Sequence, residues 1–573
     1  MDYKITYNNW ICNPLLSAEG YEELSGIKEN DEEIKYRFSK ELEFGTAGMR
    51  GIIGYGTNMM NVYAVKRATK GLAEYIKSLG YKAMENGVVI SYDTRKNSSL
   101  FARACAGVLI KNGVQVRLFK EPSPVPMLSY AIRYYGAVAG IMITASHNPK
   151  EYNGYKVYGQ DGAQMSTDAT QKVVEYISQI EDWFSIESTP INAFKSQKYL
   201  SIIGNSFLKK YVKTVAKLSL SKKAVKKQGK KIKVVYTPLH GTGYAPVVSV
   251  LKKLGISCTL VENQIEKDPS FSTVEVPNPE NKEALNLGIE LANKINANLV
   301  FGTDPDCDRL GVAIRDDSGN FICLTGNQTG VLLTDYVLKR LQEEKKLKSN
   351  GVVVKSFVST DMAKLVCNDY GVEIMDVPVG FKYIGEKIAG FEKTKSNTFL
   401  FGFEESCGYL RGTHSRDKDA VVASMLFAEM ACYYEFLGVS IYSVLCDLYE
   451  KYGYVLDKTF SIAYSGANAM DKMEKAVEKL RSVNLEDIGS YKVIATRDYL
   501  SGVRTLNNGY KTALEYKNVN CVYYELEVGG FVCVRPSGTE PKLKIYYSVK
   551  GKDKNLAQKA LEVLSKNFNE MVE

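Results

Sequence analysis

The sequence predicts an α/β protein: several domains built on one repeated strand–helix–strand unit, followed by a smaller α+β domain. Three observations carry this. Three stretches resemble one another, GVVISYDTRKNSSLFARACAGVLIKNGVQVRLF (87–119), IKVVYTPLHGTGYAPVVSVLKKLGISCTLVE (232–262) and GVVVKSFVSTDMAKLVCNDYGVEIMDV (351–377). Each runs from a β-branched segment through a polar loop and a helix-like stretch to a glycine that opens a second β-type run, the pattern of α/β units. A chain of 573 residues also exceeds what one hydrophobic core supports. After about residue 455 the repeated unit is lost, and strands and helices mix without it.

Taken in order, a helix is expected from Val65 to Leu79, because Val65, Ala68, Leu72, Ile76 and Leu79 fall on one face at helical spacing. Within the three units, Gly113, Gly255 and Gly371 stand where helix C-caps belong. Leu299–Phe301 reads as a buried strand and Thr398–Phe401 as another. In the last part, Lys458–Ala463 and Lys492–Thr496 read as strands and Lys472–Arg481 as a helix. GGFVCVRPSGTEPKLKIYYSV places two strands around a loop, and a helix near Asn555–Phe568 closes the chain. The expected domains are 1–204, 205–325, 326–454 and 455–573.

Composition excludes several classes. Hydrophobic residues make up 45% and charged residues 24%, as in a soluble globular protein. No run approaches the roughly 18 consecutive apolar residues of a membrane span, and the N-terminus lacks a signal-peptide pattern. Eleven cysteines without a C-x-x-C pair suggest reduced thiols in a cytoplasmic protein. A net charge of +9 suits an anionic substrate but is too small over this length to argue for nucleic acid. The basic run from Lys222 to Lys233 has no interleaved aromatics and reads as a solvated connection.

The sharpest chemistry lies in ANLVFGTDPDCDRLGVAI. Asp304, Asp306 and Asp308 follow a strand, and alternate residues of an extended chain point the same way, so three carboxylates are expected to converge. Such a cluster needs a cation, and oxygen-only ligands select Mg²⁺ rather than zinc. An EF-hand is excluded because positions 309 and 315 are arginines. Arg309, beside the acids at a strand's C-terminal end, is a candidate substrate ligand. Neither a Walker A loop nor G-x-G-x-x-G occurs. Instead, Arg535-Pro536-Ser537-Gly538-Thr539 offers a guanidinium, hydroxyls and a glycine amide suited to a phosphate dianion. Glu43–Gly51 supplies three glycines and Arg50, and Phe403–Gly408 supplies Glu404 and Ser406 as acceptors for sugar hydroxyls.

Ser146, in TASHNP (144–149), is not in a G-x-S-x-G elbow, and His147 is expected to point elsewhere along an extended segment, which argues against a hydrolase triad. A serine can carry a phosphoryl group if a cation neutralises its oxygens, and the three aspartates would supply that cation.

TASHNP, DPDCDR, FGTAGMRG, FEESCG and RPSGTEP, in this spread along the chain, resemble the α-D-phosphohexomutase superfamily. FEES, Gly-Tyr and RDKDA resemble its long-chain bacterial phosphoglucomutase branch and the phosphopentomutase relatives. The resemblance implies three related α/β mixed-sheet domains plus a smaller C-terminal α+β domain around a central cleft. It implies interconversion of glucose 1-phosphate and glucose 6-phosphate through a phosphoserine and glucose 1,6-bisphosphate, with pentose or mannose phosphates as the alternative substrates. Carried over, Ser146 is the phosphoserine, and with Asp304, Asp306 and Asp308 it binds Mg²⁺. Arg50 and Lys156 lie near the transferring group, with Lys156 a general acid/base, and His147 belongs to the catalytic loop. Glu404 and Ser406 contact sugar hydroxyls, and Gly380 and Lys382 lie in the sugar-orientation loop. Arg535, Ser537, Gly538 and Thr539 hold the other phosphate. Reorientation of the bisphosphate implies that the last domain hinges. Relatives with Ser-Gly-His after the glutamate assign a second acid/base to that histidine. Here Cys407, Gly408 and Tyr409 follow Ser406, and Lys418 is the substitute. Small sugar phosphates are the expected partners, without nucleic acid or membrane.

Overall fold

In three successive sheets a central strand is flanked by two parallel neighbours, and the first neighbour always arrives through a helix. In the computed structural model, which describes residues 2–45, 48–193, 198–465, 468–527, 529–537 and 542–572, Val88–Tyr92 leads through the helix Ser98–Lys111 to Val116–Phe119. Lys233–Thr237 leads through Tyr244–Leu254 to Ser257–Leu260, and Gly351–Ser356 through Met362–Asp369 to Glu373–Val377. Each pair is parallel. Gly113, Gly255 and Gly371 have φ of 75°, 79° and 64°, the left-handed conformation in which a helix is ended at least cost by glycine. The central strand's other parallel neighbour is Ala139–Ile143 in the first sheet, Leu299–Thr303 in the second and Thr398–Glu404 in the third. These three strands deliver TASHNP, DPDCD and FEES, so the repeat sets the candidate residues at equivalent C-terminal strand ends, where open α/β sheets bind ligands.

The first sheet is extended by Tyr152–Gly159, antiparallel to Ala139–Ile143, and by Gly48–Ile52, antiparallel in turn to Tyr152–Gly159. The second adds Leu310–Arg315, antiparallel to Leu299–Thr303, so both are mixed sheets. The C-terminal sheet runs antiparallel from Tyr454–Ala463 through Lys542–Gly551, Gly530–Pro536 and Val522–Leu526 to Tyr491–Asp498. Its helices are Ala469–Ser482 and Lys554–Val572. The expected elements of this part are therefore present, each longer by a few residues at its ends.

The chain forms two compact units. One comprises residues up to Cys323 with Gly385–Lys395 and Cys407–Leu437; the other comprises Leu324–Ile384, Ser396–Ser406 and the chain from Gly438 on. In the first, the helix Val62–Ser78 buries Val65, Ala68, Leu72 and Ile76 as expected. Leu79 departs from that expectation: it is the C-cap and is 47% exposed. Three helices before residue 40 were not foreseen; Trp10 in the first packs edge-on against Phe38, Tyr63, Trp183 and Phe184. The basic run is partly helical, Lys222–Gln228, because Ala224 and Val225 are buried while the lysines stay in solvent.

Among the described residues one helix, Ala420–Leu437, is long and apolar enough to cross a membrane by length and composition, and 83% of it is buried within the protein. Glu429 inside it accepts hydrogen bonds from the Ser219 hydroxyl and, at 2.6 Å, from the Leu220 amide. It is a core helix of its unit.

Candidate active site

Ser146 sits just beyond the strand Ala139–Ile143, 3% exposed, with φ of 54°. For a residue with a Cβ this left-handed conformation costs about 1–2 kcal/mol, and it persists only where the surroundings over-determine it. Here Thr144 Oγ1 accepts the Ser146 amide at 2.8 Å and donates to Asp93 Oδ2 at 2.6 Å. The resulting turn aims Ser146 Oγ at Asp304 Oδ2, to which it donates at 2.8 Å. The expectation for His147 is corrected: the backbone turns at Ser146, and His147 Nδ1 lies 3.2 Å from Ser146 Oγ. Arg50 Nη1 donates to Asn148 Oδ1 at 2.6 Å, bringing the Glu43–Gly51 segment to the same loop. Thr46 and Ala47 of that segment lie outside the described residues.

Asp304, Asp306 and Asp308 are fully buried, with ligand oxygens within 4.8 Å of one another. They converge, but not by alternation along an extended strand. The strand ends at Thr303, the Cys307 amide closes a turn onto the Asp304 carbonyl at 2.9 Å, and Cys307 has φ of 52°. Asp304 Oδ1 accepts the amides of Asp308 and Arg309, both at 3.0 Å. The turn curls the carboxylates round one point, whereas an extended segment would space alternate side chains about 7 Å apart along the strand.

Two lysines reach this cluster. Lys156 Nζ lies 2.8 Å from Asp306 Oδ2 and 3.9 Å from Asp308 Oδ2, and Lys418 Nζ lies 3.0 Å from Asp308 Oδ2. Lys156 is carried by the strand Tyr152–Gly159, and its neighbour Tyr158 donates to Asp417 Oδ2 at 3.0 Å, beside Lys418. Burial, with the charges of Asp306 and Asp308, pushes the Asp304 carboxyl well above its usual range. Burial and Asp306 raise Asp308. Burial opposes ionisation of Asp306 as well, but Lys156 outweighs it and holds this carboxyl below the usual range. Asp306 Oδ1 and Asp308 Oδ1 are buried without hydrogen-bond partners. Buried, under-satisfied and all-oxygen, this donor set fits a hard divalent cation such as Mg²⁺.

Arg309 is drawn to the site's edge, ion-paired with Glu280. The remaining expected ligands lie in the other unit. There Glu404, 4% exposed, accepts the Gly380 amide at 2.7 Å, and Gly380 has φ of 124°. The two expected sugar-contacting segments therefore meet. Lys382 extends over the Tyr383 ring at 5.0 Å. Ser406 is partly exposed next to Glu405, whose Oε2 accepts Ser356 Oγ at 2.7 Å. Burial opposes the Arg535 charge, but the neighbouring Tyr546 and Glu405 outweigh it, so Arg535 stays firmly protonated. The Ser537 amide donates to the Lys542 carbonyl at 2.8 Å. Gly538 and Thr539 lie outside the described residues.

Comparison with known proteins gives this arrangement a family. Residues 41–183, 209–319 and 325–452 match alpha/beta/alpha domains I, II and III of phosphoglucomutase/phosphomannomutase, and 500–566 match its C-terminal domain. The chain belongs to the phosphoglucomutase/phosphomannomutase family. A Staphylococcus haemolyticus family member described as a phosphoglucomutase is 36% identical over 526 residues, covering 89% of this chain and 91% of its own. A phosphoglucomutase of Staphylococcus aureus is 36% identical over 555 residues, covering 96% and 97%. The fold is shared with a family protein from Burkholderia thailandensis (TM-score 0.65, 18% identity, 92% and 96% coverage). It is also shared with the open form of Paramecium parafusin (TM-score 0.66, 14% identity, 93% and 94% coverage).

Sequence reasoning missed Asp93 and Arg95, which lie under the Ser146 loop in this phosphoglucomutase/phosphomannomutase family member. Both side chains are fully buried, 3.3 Å apart. The available signal was Asp-Thr-Arg directly after an apolar strand (Val88–Tyr92), since charges at a buried strand end need a structural or chemical reason.

Proposed function

We propose that this chain is a phosphoglucomutase, interconverting glucose 1-phosphate and glucose 6-phosphate through phospho-Ser146 and glucose 1,6-bisphosphate. The observation that carries the reading is the 2.8 Å approach of Ser146 Oγ to Asp304 within a buried carboxylate triad. The long matches to relatives described as phosphoglucomutases support the choice of glucose phosphates.

In this reading Asp304, Asp306, Asp308 and the Ser146 phosphate hold Mg²⁺, which when bound supplies positive charge against the phosphoryl oxygens. Phosphoryl transfer needs alignment and charge neutralisation more than covalent help. Phospho-Ser146 gives its phosphoryl group to the free hydroxyl of the bound sugar phosphate. The hydroxyl's proton goes to a lysine, and Ser146 Oγ takes up a proton as it leaves. The bisphosphate then returns its other phosphoryl group to Ser146 by the reverse exchange. Lys156 and Lys418, each 3.0 Å or less from a triad carboxylate, are the acid/base pair. Arg50 and His147 steady the transferring group. Gly380, Lys382, Glu404 and Ser406 read sugar hydroxyls, Arg535, Ser537, Gly538 and Thr539 clamp the non-reacting phosphate, and Arg309 braces the substrate side of the aspartate loop. A cytoplasmic location, where sugar phosphates are found, fits eleven cysteines that are all free thiols.

The test couples glucose 1-phosphate conversion to detection of glucose 6-phosphate, with Mg²⁺ and trace glucose 1,6-bisphosphate. Ribose 1-phosphate and mannose 1-phosphate are run in parallel. Turnover of glucose 1-phosphate with the highest kcat/KM supports the reading; a higher kcat/KM for either competitor would overturn the substrate assignment.

A further inference from the structure

We infer that Arg95 is the positioning residue that fixes Ser146 for phosphoryl transfer, and that Phe271 holds Arg95 in that role. The inference rests on the phosphoserine reading above. One guanidinium gathers the carbonyls of a single loop. Nη2 donates to the Ser146 carbonyl at 2.6 Å and to that of Asn148, and Nη1 donates to Pro149 at 2.7 Å and Tyr152 at 3.1 Å. Arg95 Nε faces Asp93 Oδ2 at 3.3 Å. The guanidinium is closed off from solvent, so Arg95 does not itself meet the substrate.

Both polar groups of the Ser146 backbone end on this Asp93–Arg95 pair. The carbonyl goes to Arg95 directly, and the amide goes through the Thr144 hydroxyl to Asp93. Asp93 is held in turn by the Ser98 hydroxyl at 2.6 Å and the Arg95 amide at 3.0 Å. With the turn that the Asn148 amide closes onto the Ala145 carbonyl at 3.1 Å, this pair holds the left-handed φ of Ser146, and a shift of its peptide planes would swing Oγ away from Asp304. A planar fork with fixed donors does this; a lysine ammonium, with three rotatable donors on a flexible stem, does not.

Phe271 closes the other side. Its ring centroid lies 4.9 Å from Arg95 Cζ, it is 1% exposed, and its own φ is 47°. Asp268 builds the turn that presents it, accepting the amides of Ser270 and Ser272, each at 2.8 Å. Phe271 and Asp304 both belong to the segment matching the family's second domain. The aromatic face thus ties the serine loop to the domain that carries the aspartates, and a buried cation over a ring is a favourable contact.

The experiment compares wild type, R95K and F271L in the coupled assay. It also follows, by intact mass, the rate and final extent of Ser146 phosphorylation by glucose 1,6-bisphosphate. Misplacing a reacting group by about 1 Å costs on the order of 100-fold. R95K is expected to reach one phosphoryl group per chain with kcat and the phosphorylation rate down about 10- to 100-fold and KM within about threefold. F271L, which keeps apolar bulk but loses the ring face, is expected to lose about three- to tenfold in kcat at unchanged KM. Wild-type kcat in either variant overturns the inference. So does a loss confined to KM, or a reduced phosphorylatable fraction with a normal rate per site, which would mark a merely structural role. If R95K does not fold, F271L decides on the same criteria. Failure of wild type to take a phosphoryl group on Ser146 would overturn the phosphoserine reading itself, and this inference with it.

Discussion

Ser146 Oγ donates a 2.8 Å hydrogen bond to Asp304 Oδ2, although 158 residues separate them in the chain. The two residues lie just beyond equivalent strands of successive sheets, Ala139–Ile143 and Leu299–Thr303. The contact joins the proposed phosphoserine to the one cluster of three His, Cys, Asp or Glu side chains with metal-binding geometry among the described residues.

Removing the hydroxyl alone should stop the chemistry. Ser146→Ala is expected to lower kcat by on the order of 1000-fold or more. It should also abolish the mass increase of one phosphoryl group on treatment with glucose 1,6-bisphosphate. An alanine variant that kept most of its turnover would refute the phosphoserine mechanism.

The two lysines at the triad should matter for rate more than for binding. Lys156→Met and Lys418→Met are each expected to reduce kcat by about 100- to 10,000-fold, the range for loss of a general acid or base, with much smaller changes in KM. Steady-state kinetics in both reaction directions checks this. A lysine whose loss moved only KM would not be an acid/base.

Gly48 tests how the site is supported. It has φ of 142° and pairs with Lys156 across the strands Gly48–Ile52 and Tyr152–Gly159. A Cβ there would fall 1.9 Å from the Tyr155 carbonyl oxygen, so alanine must force the strands apart. Gly48→Ala is expected to destabilise the protein by about 1–3 kcal/mol or more and to lower activity by displacing Arg50 and Lys156. Thermal melts and assays together decide it; an unchanged Tm with full activity would show that the strand pair is not needed.

Asp457 should make stability depend on pH. Burial, with Asp361 nearby, pushes its carboxyl up to about 6, while Ser548, Thr360 and Lys355 pull the other way. Its Oδ1 is buried without a hydrogen-bond partner. The unfolded carboxyl titrates near 4. The folded pKa is raised, so its stabilising contribution is full below about pH 4 and is lost as pH rises through about 6. Asp457→Asn, uncharged throughout, should raise Tm relative to wild type at pH 8 by clearly more than at pH 5. Equal shifts at the two pH values would show that Asp457 is not the titrating group.

Much of this site was legible in the sequence because local rules place it. TASHNP, DPDCD and FEES stand at strand ends that the repeated unit marks; that Glu404 accepts the Gly380 amide is seen only in the structure. What was misread depended on backbone direction over one or two residues. The aspartates converge through a turn at Cys307 rather than by strand alternation, and His147 folds back onto Ser146 because Ser146 is left-handed. Leu79 continued a helical apolar face on paper, but the helix ends before it and leaves it in solvent. Asp93 and Arg95 carried no recognisable chemistry alone, since their role is to hold backbone carbonyls and a hydroxyl contributed by another segment.

By itself the sequence determined the periodicities: which runs form strands and helices, where glycine ends a helix, and which side chains are suited to phosphate and Mg²⁺. Those properties depend on residue type and spacing over a few turns of chain. Only the tertiary structure decided that Ser146 Oγ points at Asp304, that Lys156 and Lys418 share one carboxylate cluster, and that Arg95 underlies the serine loop. These facts depend on two left-handed residues and on packing between segments far apart in the chain, where ångström-scale distances set the strength of each hydrogen bond and ion pair and no local pattern encodes them.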